Sequence, residues 1–149
     1  MYILNLYEHF DKARDMIFNA KNIALLYSNP RQLLYNNFEW NSEYATIQLS
    51  FGRQTGSTTW MIKKISELLK CDYEICCITI NTKMLENIRQ RLKTNKVDSK
   101  KILLYSSHQI ENITDIKFDY VFVDAASYIE SKIIFNIQTN FKAKMFILI

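Results

Sequence analysis

Glycine is nearly absent from this 149-residue chain, and its two copies share one stretch: Ser50-Phe51-Gly52-Arg53-Gln54-Thr55-Gly56-Ser57-Thr58-Thr59. Between a strand and a helix, such a stretch lets backbone N–H groups and the helix N-terminus converge on one phosphate. Gly52, Arg53, Gln54, Thr55, Gly56, Ser57, Thr58 and Thr59 are therefore the candidate nucleotide-binding residues. The usual pattern, G-x-x-x-x-G-K-[ST], is met in part. Phe51 holds the place of its first glycine, and Ser57 that of its phosphate-binding lysine. A second element lies downstream. The apolar run Tyr120-Val121-Phe122-Val123 delivers Asp124, the form of a Walker B segment, whose carboxylate holds Mg²⁺ through water. The Ser/Thr at the end of such a loop, here Thr58, ligates the same ion directly. Thr58 and Asp124 are thus the candidate magnesium ligands, and Mg-ATP is the candidate cofactor.

The surrounding pattern fits these roles. Ala45 to Leu49 reads as a strand, and Trp60 to Lys70 as a helix with Met61, Ile62, Ile65, Leu68 and Leu69 on one face. Tyr73 to Ile80 is a second strand, apolar enough from Ile75 on to be buried on both faces. A helix from about Thr82 to Lys93 turns Met84, Leu85, Ile88 and Leu92 inward. Ile102 to Tyr105 is a third strand, Tyr120 to Val123 a fourth and Met145 to Ile149 a last one. A helix from about Tyr128 carries Ile129, Ile133, Ile134 and Ile137. Upstream, Leu6, Phe10, Ala13, Ile17, Ala20 and Ala24 form a helical stripe, with Asn5 and Glu8 at capping-box spacing. Ser28-Asn29-Pro30 ends that helix and opens a shorter one through about Asn37. Alternating strands and helices predict an α/β fold with a mainly parallel sheet of about five strands, covered on both faces. The whole chain reads as one P-loop NTPase-like domain: a helical lead-in over 1–40 and an α/β core over 45–149.

At this point the chain resembles a known family. Gly52-Arg53-Gln54-Thr55-Gly56 followed by Ser57-Thr58-Thr59 is similar to the S-R-Q-x-G-K-T-T loop of viral large terminase subunits, the ATPases that pump DNA into capsids. Val121-Phe122-Val123-Asp124-Ala125-Ala126-Ser127-Tyr128-Ile129 resembles that family's hydrophobic strand, D-E, small residues, aromatic and Ile. Leu104-Tyr105-Ser106-Ser107-His108-Gln109-Ile110 and Lys144-Met145-Phe146-Ile147-Leu148-Ile149 resemble the segments before the Walker B strand and along the coupling strand. The resemblance spans roughly 45–149, and R-Q-x-G is its most specific part. It implies a three-layer P-loop fold in which the coupling strand lies between the loop strand and the Walker B strand. It also implies that Arg53 touches the γ-phosphate. The match stops at the coupling strand, so the rest of the ATPase domain and the nuclease domain are expected to be missing.

The departures set the expected activity. A lysine's charge about 4 Å from a phosphate is worth up to ~4 kcal/mol of gross attraction at an effective dielectric near 20. With Ser57 instead, nucleotide binding is expected to be weak or lost. Ala125 replaces the glutamate that polarises the attacking water, so little or no hydrolysis is expected. The expectation is a degenerate, terminase-like pseudo-ATPase of viral origin, with a regulatory or DNA-associated role. One alternative is a non-catalytic protein-interaction module. Another is an active ATPase using Arg53 as a catalytic cation and an acid supplied by a partner. Position 57 is expected to point outward, so that Ser57→Lys would raise Mg-ATP affinity, with hydrolysis appearing only once Ala125→Glu is added.

Blander readings stand beside these. The glycines would serve turn geometry alone, Asp124 would be a helix cap or buried acceptor, and Arg53 an exposed loop residue. A Ser57–His108–Asp124 triad lacks the G-x-S-x-G elbow that would support it. Trp40 and Tyr44 precede the loop strand, where related ATPases stack adenine, or else form a core wall.

Charge and cysteines narrow the rest. The net charge of +4 is uneven: Arg89, Arg91, Lys93, Lys96, Lys100 and Lys101 crowd one stretch. They are the candidate nucleic-acid contacts, weighed against a solvated helix end without interleaved aromatics. Cys76 and Cys77 sit in an apolar run as small core residues, remote from His9 and His108, so neither zinc nor haem is expected. Glu8, Asp11 and Lys12 fall too early for a secretory leader, and no stretch suits a bilayer span. A cytoplasmic protein of an infected cell, with a viral or host protein or DNA as partner and no membrane association, is the expectation.

Overall fold

The computed structural model describes residues 2–27, 38, 40–49, 56–97, 99–114 and 116–149. Helix α1 (Tyr2–Tyr27) leads into a π-helical turn at Trp40–Tyr44, strand β1 (Thr46–Gln48) and helix α2 (Ser57–Lys70). Strand β2 (Ile75–Thr79), helix α3 (Thr82–Thr94) and strand β3 (Ile102–Ser106) follow. Then come β4 (Ile116–Lys117), β5 (Tyr120–Val123), α4 (Ser131–Asn140), β6 (Phe141–Lys142) and β7 (Met145–Leu148). The expected short helix from Ser28 to about Asn37 lies outside the described residues, as do Gly52, Arg53, Gln54 and Thr55.

Five strands form one sheet in the order β1-β7-β5-β2-β3, every pair parallel. The α/β class and the parallel sheet are as the sequence predicts. The last strand indeed lies between the strand before the loop and the strand that ends at Asp124. Side chains alternate across the sheet. Ile75 and Cys77, Tyr120 and Phe122, and Met145 and Ile147 join Trp60, Met61 and Ile65 of α2 and Ile88 of α3 in one core. Cys76 and Ile78, Val121 and Val123, and Phe146 face the other way, toward Ile137 of α4, Phe118 and Trp40. Helices on both faces explain why β2, β5 and most of β7 are apolar without alternation. Burial drives both thiols, Cys76 and Cys77, well above the usual cysteine range, which leaves them as inert core residues.

Three local features differ from the sequence pattern. Helix α1 is already under way at Tyr2, so Asn5 lies inside it rather than at its start. Its buried stripe is also rotated: Arg14 and Phe18 are buried, while Leu6, Ile17, Ala20 and Ala24 are exposed. The helix turns to whichever face finds partners, and Arg14 finds polar ones that the outer sheet end supplies. The third feature is a two-stranded parallel ribbon pairing Ile116 with Phe141 and Lys117 with Lys142, too short to leave a period. Among the described residues no helix is long and apolar enough to cross a membrane.

Phe146 is fully buried on the central strand β7, whereas Leu103 on the edge strand β3 is 46% exposed. Phe146→Ala should therefore cost about 3–5 kcal/mol and Leu103→Ala within about 0.5 kcal/mol. Urea titration of the two variants checks the contrast, and equal losses would contradict the strand order.

Candidate functional site

In a parallel sheet the carboxyl ends of all strands share one edge, and the candidate residues gather there. Leu49 closes β1 by donating its N–H to the Leu148 carbonyl at 2.8 Å. The chain returns at Gly56, whose φ of 73° is left-handed and whose missing Cβ would meet the Tyr7 ring of α1 at 3.2 Å. The left-handed φ favours glycine here, and any Cβ would also press on the Tyr7 ring. Helix α2 then starts at Ser57. A glycine N-cap brings no side-chain acceptor to its first N–H groups, which leaves this helix end suited to an anion.

On the neighbouring strands, β5 delivers Asp124 beyond Val123. The Asp124 N–H donates to the Ile78 carbonyl at 2.9 Å, which anchors the residue to β2. Its carboxylate is 2% exposed, and Oδ1 accepts the Thr58 hydroxyl at 3.1 Å. The two residues assigned to a magnesium ion are thus brought together from α2 and β5. Burial raises the Asp124 carboxyl above its usual range. The Thr58 hydroxyl, the Ala125 N–H and the charge of Arg91 pull it partly back. Ala125 itself takes a left-handed φ of 54°, strained for a residue with a Cβ. That bend carries the chain toward β7, where the Ala126 N–H meets the Ile149 carbonyl at 2.7 Å.

Two arginines reach this edge without a motif to announce them. Arg91 leaves α3 and donates from Nη2 to Thr59 Oγ1 at 2.8 Å. Arg14 comes from α1 and has no exposed side-chain surface. Its Nη2 donates to Ser57 Oγ at 2.8 Å, its Nε to the Leu49 carbonyl at 3.4 Å, and its Nη1 pairs with Asp11 at 3.1 Å. Ser57 therefore does not point outward as expected. It is half-buried against a guanidinium that α1 supplies. The sequence did carry a trace of this: Arg14 stands midway between Phe10 and Phe18, a charge in the middle of an apolar i, i+4, i+8 row.

Helix α1 is held over α2 by further bonds. Trp60 Nε1 donates to Asp15 Oδ1 at 3.1 Å, and Lys64 bridges Asp15 and Glu67 at 2.9 Å each. Burial pushes the Asp15 carboxyl up, but the bonds from Lys64 and Trp60 outweigh it and hold it below its usual range.

Other candidates fall apart or elsewhere. His108 leaves β3, four strand spacings from β1 or ~19 Å, so no triad with Ser57 forms. Trp40 and Tyr44 stack at 5.2 Å before β1, at the end of the sheet opposite the loop, and Trp40 is a core wall. The basic stretch divides: Arg91 turns to Thr59, Arg89 pairs with Glu86 and Lys101 with Asp72, and Lys93, Lys96 and Lys100 are exposed. A cavity of about 820 Å³ opens at that opposite end, between Asn22, Tyr73, Tyr120 and Lys144. Its polar groups are largely committed, Lys144 to Asp119, Tyr120 to Asn22, and Asn41 to the Gln138 and Phe141 carbonyls. Size alone does not make it the site.

Among the described residues no three His, Cys, Asp or Glu side chains converge on one point. A magnesium ion here would rest on Asp124, Thr58, waters and phosphate oxygens, a donor set that suits it. No protein-family model matches the chain, and no curated protein matches it.

The raised Asp124 carboxyl gives a pH test. An acid raised by burial destabilises the fold as it ionises, so its penalty is absent below the ordinary carboxyl value of 3.8 and grows as pH rises. Asp124→Asn keeps an acceptor for Thr58 and should raise Tm at pH 7, with the gain shrinking toward pH 4. Thermal unfolding across that range decides it, and a lower Tm at pH 7 would contradict the sign.

Proposed function

We propose that this chain is a P-loop NTPase-like domain of the terminase kind whose site binds Mg-nucleotide weakly and does not turn it over. The observation that carries the reading is the Thr58 hydroxyl on the Asp124 carboxylate. It joins the end of a glycine-bearing loop to the end of an apolar strand, with β7 between the two strands concerned. Such a pairing keeps both ligands in place for an ion that bridges them to a phosphate.

Turnover needs a group that orients water, and the position after Asp124 offers the Ala125 methyl. The role is then regulatory, with nucleotide occupancy and not turnover as what the site offers. The viral setting and the association with DNA rest on the resemblance alone, as does the part assigned to Arg53. The interaction-module reading draws on one observation, the Tyr7 ring lying against Gly56, which narrows the approach to the loop.

Calorimetric titration with Mg-ATP and Mg-ADP tests the proposal. Saturable heat that is lost in Asp124→Ala, without phosphate release above background, is the expected result. Turnover above roughly 0.1 per second that vanished in Asp124→Ala would overturn the inactive assignment. No binding at millimolar nucleotide would favour the interaction module.

A further inference from the structure

We propose that the cavity at the amino-terminal end of the sheet binds a small organic dianion with a flat aromatic body, of the aryl phosphate kind, held by Lys117 and Lys142. This site is independent of the nucleotide reading, because it lies at the opposite end of the strands from Asp124.

The cavity wall carries excess positive charge. Lys117, Lys142 and Lys144 line it against a single acid, Asp119. That acid is already engaged. Its Oδ1 pairs with Lys144 at 3.0 Å, and its Oδ2 accepts the Glu74 N–H at 2.9 Å. Lys117 acts on Asp119 through charge alone, and among the described residues neither Lys117 nor Lys142 pairs with an acid at bonding distance.

The placement of these two lysines is costly. They stand directly opposite each other in the parallel β4–β6 ribbon, on strands about 4.8 Å apart. Like charges at facing positions destabilise a strand pair. A ribbon of two residues per strand has few pairing bonds to set against that repulsion. An anion between the two ammonium groups removes it, and a dianion matches both.

The remaining walls suit a flat apolar body. Trp40, Tyr73, Phe118 and Tyr120 line the cavity together with Leu25 and Leu26 of α1. Tyr73 and Tyr120 meet edge to face with their ring centres 5.2 Å apart. Lys144 lies 5.1 Å from the centre of the Tyr73 ring, which keeps a third cation beside this aromatic wall. Burial pushes the Tyr120 hydroxyl up to about 12, so it stays neutral and donates to Asn22 Oδ1 at 3.1 Å. It adds no negative charge to oppose a ligand. A volume of about 820 Å³, with aromatic walls and a few charged groups, is typical of small-molecule sites.

Calorimetric titration with 1-naphthyl phosphate tests this at about pH 8, where a phosphate monoester carries nearly two charges. Inorganic phosphate and 1-naphthol serve as the two halves of the probe. Wild type should bind the intact probe at least about tenfold more tightly than either half. Lys117→Gln combined with Lys142→Gln should weaken it by at least about tenfold, while Tm holds or rises because the repulsion is gone. Lys142→Gln alone carries the comparison if the double variant does not fold. Lys132→Gln removes an exposed lysine of α4 that does not line the cavity, and should change affinity by less than about twofold. Affinity unchanged in the ribbon variants, or an equal loss in Lys132→Gln, would overturn the assignment. Inorganic phosphate binding as tightly as the probe would also overturn it, leaving the lysines a bare anion patch. So would the absence of heat with millimolar probe.

Discussion

The insertion of β7 between β1 and β5 is the constraint from which the rest of the structure follows. Its pairs are parallel on both sides, with Phe146 opposite Thr46 on one strand and Val121 on the other. A parallel central strand has no exposed face, so it must be apolar throughout and helices must cover both sides of the sheet. The same insertion fixes the distance between β1 and the strand that leads to Asp124. One strand's width separates them, and the first turn of α2 spans it by placing Thr58 over Asp124.

Charge at the carboxyl edge is arranged around that contact. Asp124 is buried, and the influences that favour its ionised form are Thr58, the Ala125 N–H and the charge of Arg91. Arg14 is buried on the other side of the first α2 turn, where desolvation lowers its basicity and Asp11 restores part of it. The first turn of α2 thus lies between a buried acid and a buried base that it touches through adjacent hydroxyls, Thr58 and Ser57. Neither charge is placed where a folding core would want it. Buried ionisable groups gathered at one strand edge are a common mark of a working site.

Helix α1 shows how strongly such polar anchoring can act. Its most apolar stripe, which includes Leu6 and Ile17, remains exposed, and the face that docks carries Arg14, Phe18 and the Asp15 contacts to Trp60 and Lys64. Phe18 packs edge-on to Trp60 and against Tyr120, which supplies the apolar part of the contact. The helix is therefore oriented by specific hydrogen bonds over a small aromatic cluster, and hydrophobic periodicity alone does not describe it.

The amino-acid sequence by itself determined the α/β class, the apolar strands and the helices α2 and α3, because those signals are local and repeat with the period of the element. The apolar run into Asp124 and Gly56 were likewise legible, since strand burial and a left-handed backbone restrict residue type there. Only the tertiary structure decided which charges meet. Arg14 and Ser57 are far apart in the chain, and their contact depends on which face α1 presents to the sheet. Arg91 read as part of a basic run until α3 packed beside α2 and turned it to Thr59. The β4–β6 ribbon was equally hidden, because two residues per strand are too few for alternation to show. Long-range electrostatic partners leave no period in a sequence, so folding had to bring them together before they could be read.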